Sequence, residues 1–498
     1  MTSAALLHDL LDEAAASHQD APAITHEGRA LSYRQLRDAS LRLTGWLLAG
    51  GLGRGDRVVI ATGNHVLVPA LLYAVSRAGA VFVVVHHGLT AGALRHVLAD
   101  CEPRLLVSQD PGARKIAAGL GIAAAGLEDV TAGRASPPGA TTWPVLSIDP
   151  ACLIYTSGSV ALPRAVVSTH AQIVFAASAI QSQLGYRRTD TVYCALPLSF
   201  DYGLYQLFLA ALSGAQVWLG TGVDAGPALV ASLRDSEATV LPAMPSIATS
   251  LGQLLRRQPG AQLALRMLTN TGAAMPAAAL AELRARIPGL RAHLMFGLTE
   301  CKRVSIMGPD EDIERPGAVG LPLPGTEVLV ADESGARRDP GQAGELIVRG
   351  PHVMAGYWRQ PDLTAQRFRR ADGLFPQLHT GDYGWLDQDG YLYFSGRRDD
   401  IYKQNGFRVS ALEVEAAACR LAGIRAAAVL PPGPERSAAV LFVVGETPAA
   451  DVLALLRHEL EDFKIPGACF RRDELPMTGN GKTHKKLLAA SLQKDSHA

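Results

Sequence analysis

Residues 56–85 read DRVVIATGNHVLVPALLYAVSRAGAVFVVV, and the order of patterns in this run decides the fold. Val58–Ala61 is a short β-branched strand, His65–Arg77 carries apolar residues at helical spacing, and Ala80–Val85 is a fully apolar strand. Strands with no polar alternation are buried on both faces, and a helical crossover between two of them makes them parallel. Upstream, Tyr33–Ala49 is helical and Gly50–Asp56 is a glycine-rich turn. The same rhythm returns at Thr191–Leu196, Ala215–Leu219, Ala238–Leu241 and Met267–Thr269. Beyond about Gly325 it gives way to shorter strands with turn signals, at Glu327–Ala331, Gly344–Arg349, Gly384–Asp387 and Tyr391–Ser395. The last stretch (helix near Leu412–Arg420, strands Ala426–Val429 and Ala438–Val444, helix Ala450–Phe463) reads as a separate α+β domain. Ser136–Thr142, with two prolines and a glycine, reads as a loop.

A chain of 498 residues exceeds what one hydrophobic core serves, so at least two domains are expected. Forty-seven basic and 47 acidic residues cancel, which speaks against nucleic acid or an anionic membrane as the main partner. The six cysteines, Cys101, Cys152, Cys194, Cys301, Cys419 and Cys469, are scattered with no CxxC pair, as expected of thiols in a reducing compartment. Residues 1–9 lack the basic n-region of a secretory signal, and the most apolar stretches, Val66–Val75 and Ala78–Val85, are too short or too interrupted to span a bilayer. A cytoplasmic protein is expected. His86, His87 and His170 have no third ligand at metal-binding spacing, so they read as strand-end and helix-start residues.

The run Tyr155-Thr-Ser-Gly-Ser-Val-Ala-Leu-Pro-Arg164 lies between two strand-like stretches, Ala151–Ile154 and Ala165–Val167. Gly158 permits unusual backbone angles, so successive N–H groups can converge on a polyanion, with hydroxyls and Arg164 adding donors. Alone, such a run is equally a turn. Two commoner phosphate motifs fail. Gly479-Asn-Gly-Lys482-Thr483 has Pro476 where a P-loop needs its first glycine, and Gly51-Leu-Gly53-Arg-Gly55 precedes a strand where a dinucleotide fingerprint precedes a helix.

Five further motifs follow in order: Phe296-Gly-Leu-Thr299-Glu300, His379-Thr-Gly-Asp382, Gly396-Arg397-Arg-Asp399-Asp400, Lys403-Gln-Asn-Gly406-Phe-Arg408, and Asn480-Gly-Lys482. Together they make the chain resemble the superfamily of acyl-CoA synthetases, nonribosomal peptide adenylation domains and beetle luciferases, from Leu31 to Lys486. That resemblance implies an AMP-forming ligase using ATP and Mg²⁺. Ser157, Gly158, Ser159 and Arg164 would hold the β- and γ-phosphates, Thr299 the α-phosphate and Glu300 the Mg²⁺. Gly272, Ala273, Ala274, Met295, Phe296 and Gly297 would line the adenine pocket, and Asp382 and Arg397 would meet the ribose. Lys482 would bridge the substrate carboxylate and the α-phosphate region, where a cation stabilises charge gathering in the transition state. Asp399 would be the hinge on which a mobile C-terminal domain turns, bringing the Gly406 region to the site for thiol attack. The expected organisation is therefore α/β: a large N-terminal domain of parallel sheets flanked by helices, residues 1–398, with a β-rich subdomain at about 325–398, and a small mobile α+β domain, residues 399–498.

The phosphate run departs from the superfamily's pattern at Val160, Ala161, Arg164 and Ala165. Losing one hydrogen bond to a charged group costs about 1.5–3 kcal/mol, roughly tenfold to a hundredfold in rate. A working enzyme is expected, the alternative being a non-catalytic nucleotide-binding homologue. In Leu196-Pro-Leu-Ser-Phe200-Asp201-Tyr-Gly-Leu-Tyr205, Asp201 resembles the aspartate with which amino-acid adenylation domains hold a substrate ammonium; its other reading is a helix cap. Thr269, Thr271, Tyr202 and Tyr205 would make a polar pocket unsuited to a long fatty acid. Lys302 and Arg303, where small or apolar residues are usual, bind a second acidic group or point to solvent. The expected substrate is an amino acid or other amine-bearing acid. The acceptor thiol is expected in trans, from the phosphopantetheine of a separate carrier protein or, alternatively, from free coenzyme A.

Overall fold

The computed structural model describes residues 2–132, 143–156, 163–221, 226–370, 375–397, 401–404, 407–432, 436, 438–478 and 483–495. The chain divides into two compact units, residues 1–328 with 348–379, and residues 329–347 with 380–498.

The first unit is built on two large sheets. Apolar runs such as Val81–Val84 (Val-Phe-Val-Val) have nowhere to turn a face to water, and the structure buries both faces. Val58, Ile60, Phe82 and Val84 enter one apolar cluster while Val59, Val81 and Val83 enter another. The sheet containing them orders its strands as Gly356–Tyr357, Arg164–Thr169, Pro150–Thr156, Val81–Val84, Arg57–Ile60, Leu105–Val107 and Ala123–Ala125. A second sheet runs Leu321–Pro322, Ser305–Ile306, Arg291–Phe296, Met267–Asn270, Val240–Pro242, Thr191–Cys194, Gln216–Leu219, Pro22–His26 and Arg29–Ser32. Helices Tyr33–Ala49, Val68–Arg77, His170–Leu184 and Asp201–Ser213 pack in the larger cluster together with strands of both sheets.

The expected parallel pairing holds in the middle of each sheet and through to Ala123–Ala125 at one end of the first, but fails at that sheet's other end and at both ends of the second. Pro150–Thr156 and Arg164–Thr169 pair antiparallel, as do Arg291–Phe296 and Ser305–Ile306. In each case fewer than ten residues join the strands, too few for the helical crossover that parallel pairing needs. The helix expected over His65–Arg77 begins at Val68, because Pro69 belongs in a first helical turn, where its missing N–H costs nothing. The expected Gly384–Asp387 strand is the end of a longer one, Pro376–Leu386. In the second unit the expected helix Ala450–Phe463 stops at Leu456, followed by a 3₁₀ turn at Asp462–Lys464. Its three-stranded sheet, Ile424–Leu430, Val440–Gly445 and Ala468–Arg472, covers a core with helix Ala411–Arg420. Ser136–Thr142 lies outside the described residues. Among the described residues no helix is long and apolar enough to cross a membrane.

Helix Leu7–Ser17 is fastened by one buried imidazole and one partly buried one. His170, the first residue of its own helix, accepts the Leu7 N–H at Nδ1 (3.2 Å), and His8 Nδ1 meets Ser76 Oγ at 3.0 Å. Burial lowers both histidines to about 4. Their folded-state values lie below the unfolded value of about 6.5, so the stability they confer is complete above that pH and is lost as pH falls from about 6.5 to 4. Unfolding free energy should therefore decline across that interval. His170→Gln, which keeps an acceptor for Leu7, should reduce the slope by up to about 1.4 kcal/mol per pH unit, as measured by chemical denaturation at pH 7, 6, 5 and 4.5. An unchanged slope would refute this account.

Candidate active site

Ligands in open α/β sheets bind beyond the carboxyl ends of parallel strands, near the point where the strand order reverses. Thr191–Cys194 is such a point, since the next two strands, Gln216–Leu219 and Val240–Pro242, flank it on opposite sides. The residues after these carboxyl ends include Asp201, Thr271–Ala274 and the segment after Phe296.

Asp201 is the first residue of helix Asp201–Ser213, and Phe200 is its N-cap with no side-chain cap bond. The capping reading thus fails: Asp201 is 7% exposed, and its Oδ2 lies 3.9 Å from Lys302 Nζ. Tyr202 donates to the Thr269 carbonyl at 2.6 Å and meets Thr269 Oγ1 at 2.7 Å, which anchors this helix to the neighbouring strand end.

Lys302 and Arg303 do not reach solvent; they are 1% and 5% exposed. The reversal between Phe296 and Val304 (Val304 N–H to Phe296 O, 2.8 Å) turns them inward. Lys302 takes φ of 64°, a left-handed conformation that costs a non-glycine residue on the order of 1 kcal/mol. The turn closes tightly because residue 297 is glycine: a Cβ there would lie 2.2 Å from the Lys302 carbonyl oxygen. The Lys302 ammonium lies 5.8 Å from the Tyr205 ring centroid, and the Arg303 guanidinium lies 5.0 Å from that of Tyr202. Burial pushes the Lys302 ammonium down, and Asp201 is the strongest opposing influence. Lys302 Nζ, Arg303 Nε, Tyr205 Oη and Thr271 Oγ1 are buried without a hydrogen-bond partner among the described residues. Such groups are costly unless something binds them.

Thr299 and Glu300 sit at the outer end of the same reversal. Glu300 Oε1 accepts from Tyr357 Oη at 2.7 Å, and its main-chain carbonyl accepts the Met354 N–H at 2.9 Å. Arg164 opens strand Arg164–Thr169 with its guanidinium 5.2 Å from the Tyr357 ring centroid and its Nε buried without a hydrogen-bond partner among the described residues. Among the described residues no group of three or more His, Cys, Asp or Glu could hold a metal. Mg²⁺ arriving with a nucleotide needs less, because one or two carboxylates join the phosphates in binding it. Glu300, with Oε2 outside any hydrogen bond among the described residues, fits that role.

Gly272 has φ of 85° and lies near Phe200 and Met244; with Ala273 and Ala274 it follows strand Met267–Asn270. Met295 is 6% exposed, and Phe296 ends its strand. In the second unit, Asp382 and Arg397 are directly opposed on paired strands, with Arg397 Nε donating to Asp382 Oδ1 at 3.1 Å. Ser157, Gly158, Ser159, Asp399, Gly406 and Lys482 lie outside the described residues.

Sequence reasoning missed Tyr357. Its neighbours Gly356 and Trp358 carry no motif, and its partner Glu300 is 57 positions away.

The comparisons with known proteins agree with this architecture. Residues 11–358 match the AMP-binding enzyme family, and residues 413–482 match the AMP-binding enzyme C-terminal domain. The chain is 32% identical over 475 residues to a feruloyl-CoA synthase of Amycolatopsis sp., covering 93% of this chain and 94% of that protein. ATP-bound MatB from Rhodopseudomonas palustris superposes with a TM-score of 0.88 at 28% identity, covering 98% of each chain. VinN in complex with L-aspartate superposes with a TM-score of 0.72 at 42% identity, covering 78% of this chain and 98% of that one. The chain belongs to the AMP-binding enzyme family and is an ATP-dependent, AMP-forming ligase.

Proposed function

We propose that the chain adenylates an amino dicarboxylic acid, a compound of the aspartate class, and passes the acyl group to the phosphopantetheine thiol of a separate carrier protein. The observation that carries this reading is the buried pair Lys302 and Arg303, each with a side-chain nitrogen lacking a hydrogen-bond partner among the described residues, with Lys302 3.9 Å from Asp201. Asp201 offers an anion to a substrate ammonium, while Lys302 and Arg303 offer donors to a carboxylate. A ligand with one ammonium and two carboxylates satisfies both and leaves one carboxylate for reaction. A long acyl chain would leave the charges bare, at a cost of several kcal/mol. VinN, which resembles this chain, has been captured with L-aspartate, and that supports the same class.

In this reading the free carboxylate attacks the α-phosphorus of ATP, the bond to pyrophosphate breaks, and the acyl-adenylate stays bound. Arg164 and the Ser157–Ser159 run hold the phosphates, Thr299 and Lys482 face the reacting α-phosphate, and Asp382 and Arg397 take the ribose. Glu300 would hold the Mg²⁺ that accompanies the nucleotide, which would supply positive charge to the phosphate oxygens. The domain beyond Asp399 then turns, and the carrier thiolate attacks the acyl carbonyl and expels AMP. Free coenzyme A is the second reading of the acceptor, and the name of the related feruloyl-CoA synthase favours it.

Pyrophosphate exchange over amino acids, aryl acids and short acyl acids tests the substrate class. Aspartate-like acids should lead the panel, and a lead by monocarboxylic amino acids or aryl acids would overturn the reading. Lys302→Met should lower kcat/KM for the cognate acid roughly tenfold to a hundredfold, the loss of one charge-assisted bond, and narrow the preference over monocarboxylic analogues. Asp201→Asn should do the same for the amine. Lys482→Ala should abolish most exchange; exchange indistinguishable from wild type would remove that lysine from the mechanism. Incubation with ATP, the cognate acid and either holo-carrier protein or coenzyme A separates the two acceptors, and rapid acyl-CoA formation would replace the carrier reading.

A further inference from the structure

We infer that Tyr357 is a positioning residue for the nucleotide end of the site: its hydroxyl aims the Glu300 carboxylate, and its ring seats the Arg164 guanidinium. The proposal rests on the reading of Glu300 as the carboxylate that meets the nucleotide-bound cation.

Tyr357 lies on a two-residue strand, Gly356–Tyr357, paired antiparallel with Arg164–Thr169 so that Tyr357 stands opposite Val166. Arg164 is two positions from Val166 and shares its face, a diagonal neighbour within reach of a long side chain. The guanidinium sits 5.2 Å from the ring centroid, within cation–π range. On the far side, Tyr357 Oη donates to Glu300 Oε1 at 2.7 Å. One oxygen of Glu300 is thereby committed, which removes rotation about the carboxylate and leaves Oε2 for a cation.

The support around Tyr357 is stiff. It is 5% exposed, its N–H donates to Thr364 Oγ1 at 3.0 Å, and its ring meets Phe368 edge-on at 5.5 Å between centroids. Three residues earlier, the Met354 N–H holds the Glu300 carbonyl, so the same segment grips both main chain and side chain of Glu300. The geometry is what second-shell partners of metal-binding carboxylates provide: a fixed orientation without direct contact to the ion.

The test measures cation binding directly. Mn²⁺ affinity is read by electron paramagnetic resonance on enzyme saturated with a non-hydrolysable ATP analogue, and ATP-analogue affinity is read by calorimetry in EDTA. Tyr357→Phe keeps the ring and should weaken Mn²⁺ about tenfold, the loss of one hydrogen bond to a charged group, with metal-free nucleotide affinity unchanged. Tyr357→Leu removes the ring as well and should weaken the metal-free nucleotide too. Glu300→Gln should weaken Mn²⁺ at least as much as Tyr357→Phe, and the double variant should be no weaker than Glu300→Gln alone, since the hydroxyl acts through that carboxylate. Wild-type Mn²⁺ affinity in a folded Tyr357→Phe, with Glu300→Gln impaired, would overturn the proposal. Wild-type affinity in Glu300→Gln would instead overturn the underlying role of Glu300. A purely structural role for Tyr357 would lower the melting temperature of Tyr357→Phe and leave Mn²⁺ affinity in place, which also defeats the proposal.

Discussion

Two cations turned inward at one hairpin set a constraint to which much of the first unit answers. Burying Lys302 and Arg303 costs solvation, against which stand the bond from Arg303 Nη1 to the Lys302 carbonyl at 2.7 Å and Asp201 at 3.9 Å from the Lys302 ammonium. The hairpin tolerates this because a left-handed Lys302 and a side-chain-free Gly297 let the chain double back on itself. The Tyr202 and Tyr205 rings face the two cations, and Tyr202 is itself tied to the neighbouring strand end through Thr269. Natural structures keep such uncompensated polar groups where a ligand completes them.

The same hairpin carries two kinds of chemistry on its two ends. Glu300 at its tip meets Tyr357, beside which Arg164 lies, while Lys302 on its returning arm lies toward Asp201. In the proposed reading, a single short reversal therefore joins the substrate end of the site to its nucleotide end. The parallel strands beneath provide the rigidity: Met267–Asn270 and Arg291–Phe296 are paired along four residues, and their carboxyl ends leave side chains at fixed spacing.

How much of this was legible in advance divides by the range of the interaction. Tyr33–Ala49 was readable as a helix because its apolar spacing is local, and the structure has the helix with those limits, capped by Ser32 and Gln35. The strands around Val58 and Val81 were readable because β-branched apolar runs have one comfortable environment. The antiparallel pairing of Pro150–Thr156 with Arg164–Thr169 was not, since an apolar strand looks the same in either direction. Glu300 and Asp201 could be singled out by motif, but Tyr357 could not, because its importance consists in touching Glu300 from 57 residues away.

The sequence by itself determined the order of strands and helices, the α/β class, and the family to which the chain belongs, because periodicity and ordered motifs are properties of the chain read in one direction. It left Lys302 and Arg303 open between solvent and pocket, and Asp201 open between cap and ligand. Only the tertiary structure decided that all three are buried and that Phe200, not Asp201, is the cap: burial depends on what the rest of the chain packs against a residue, and no local pattern records it. Three charged residues that a linear reading could only single out became one buried cluster when the chain closed around them.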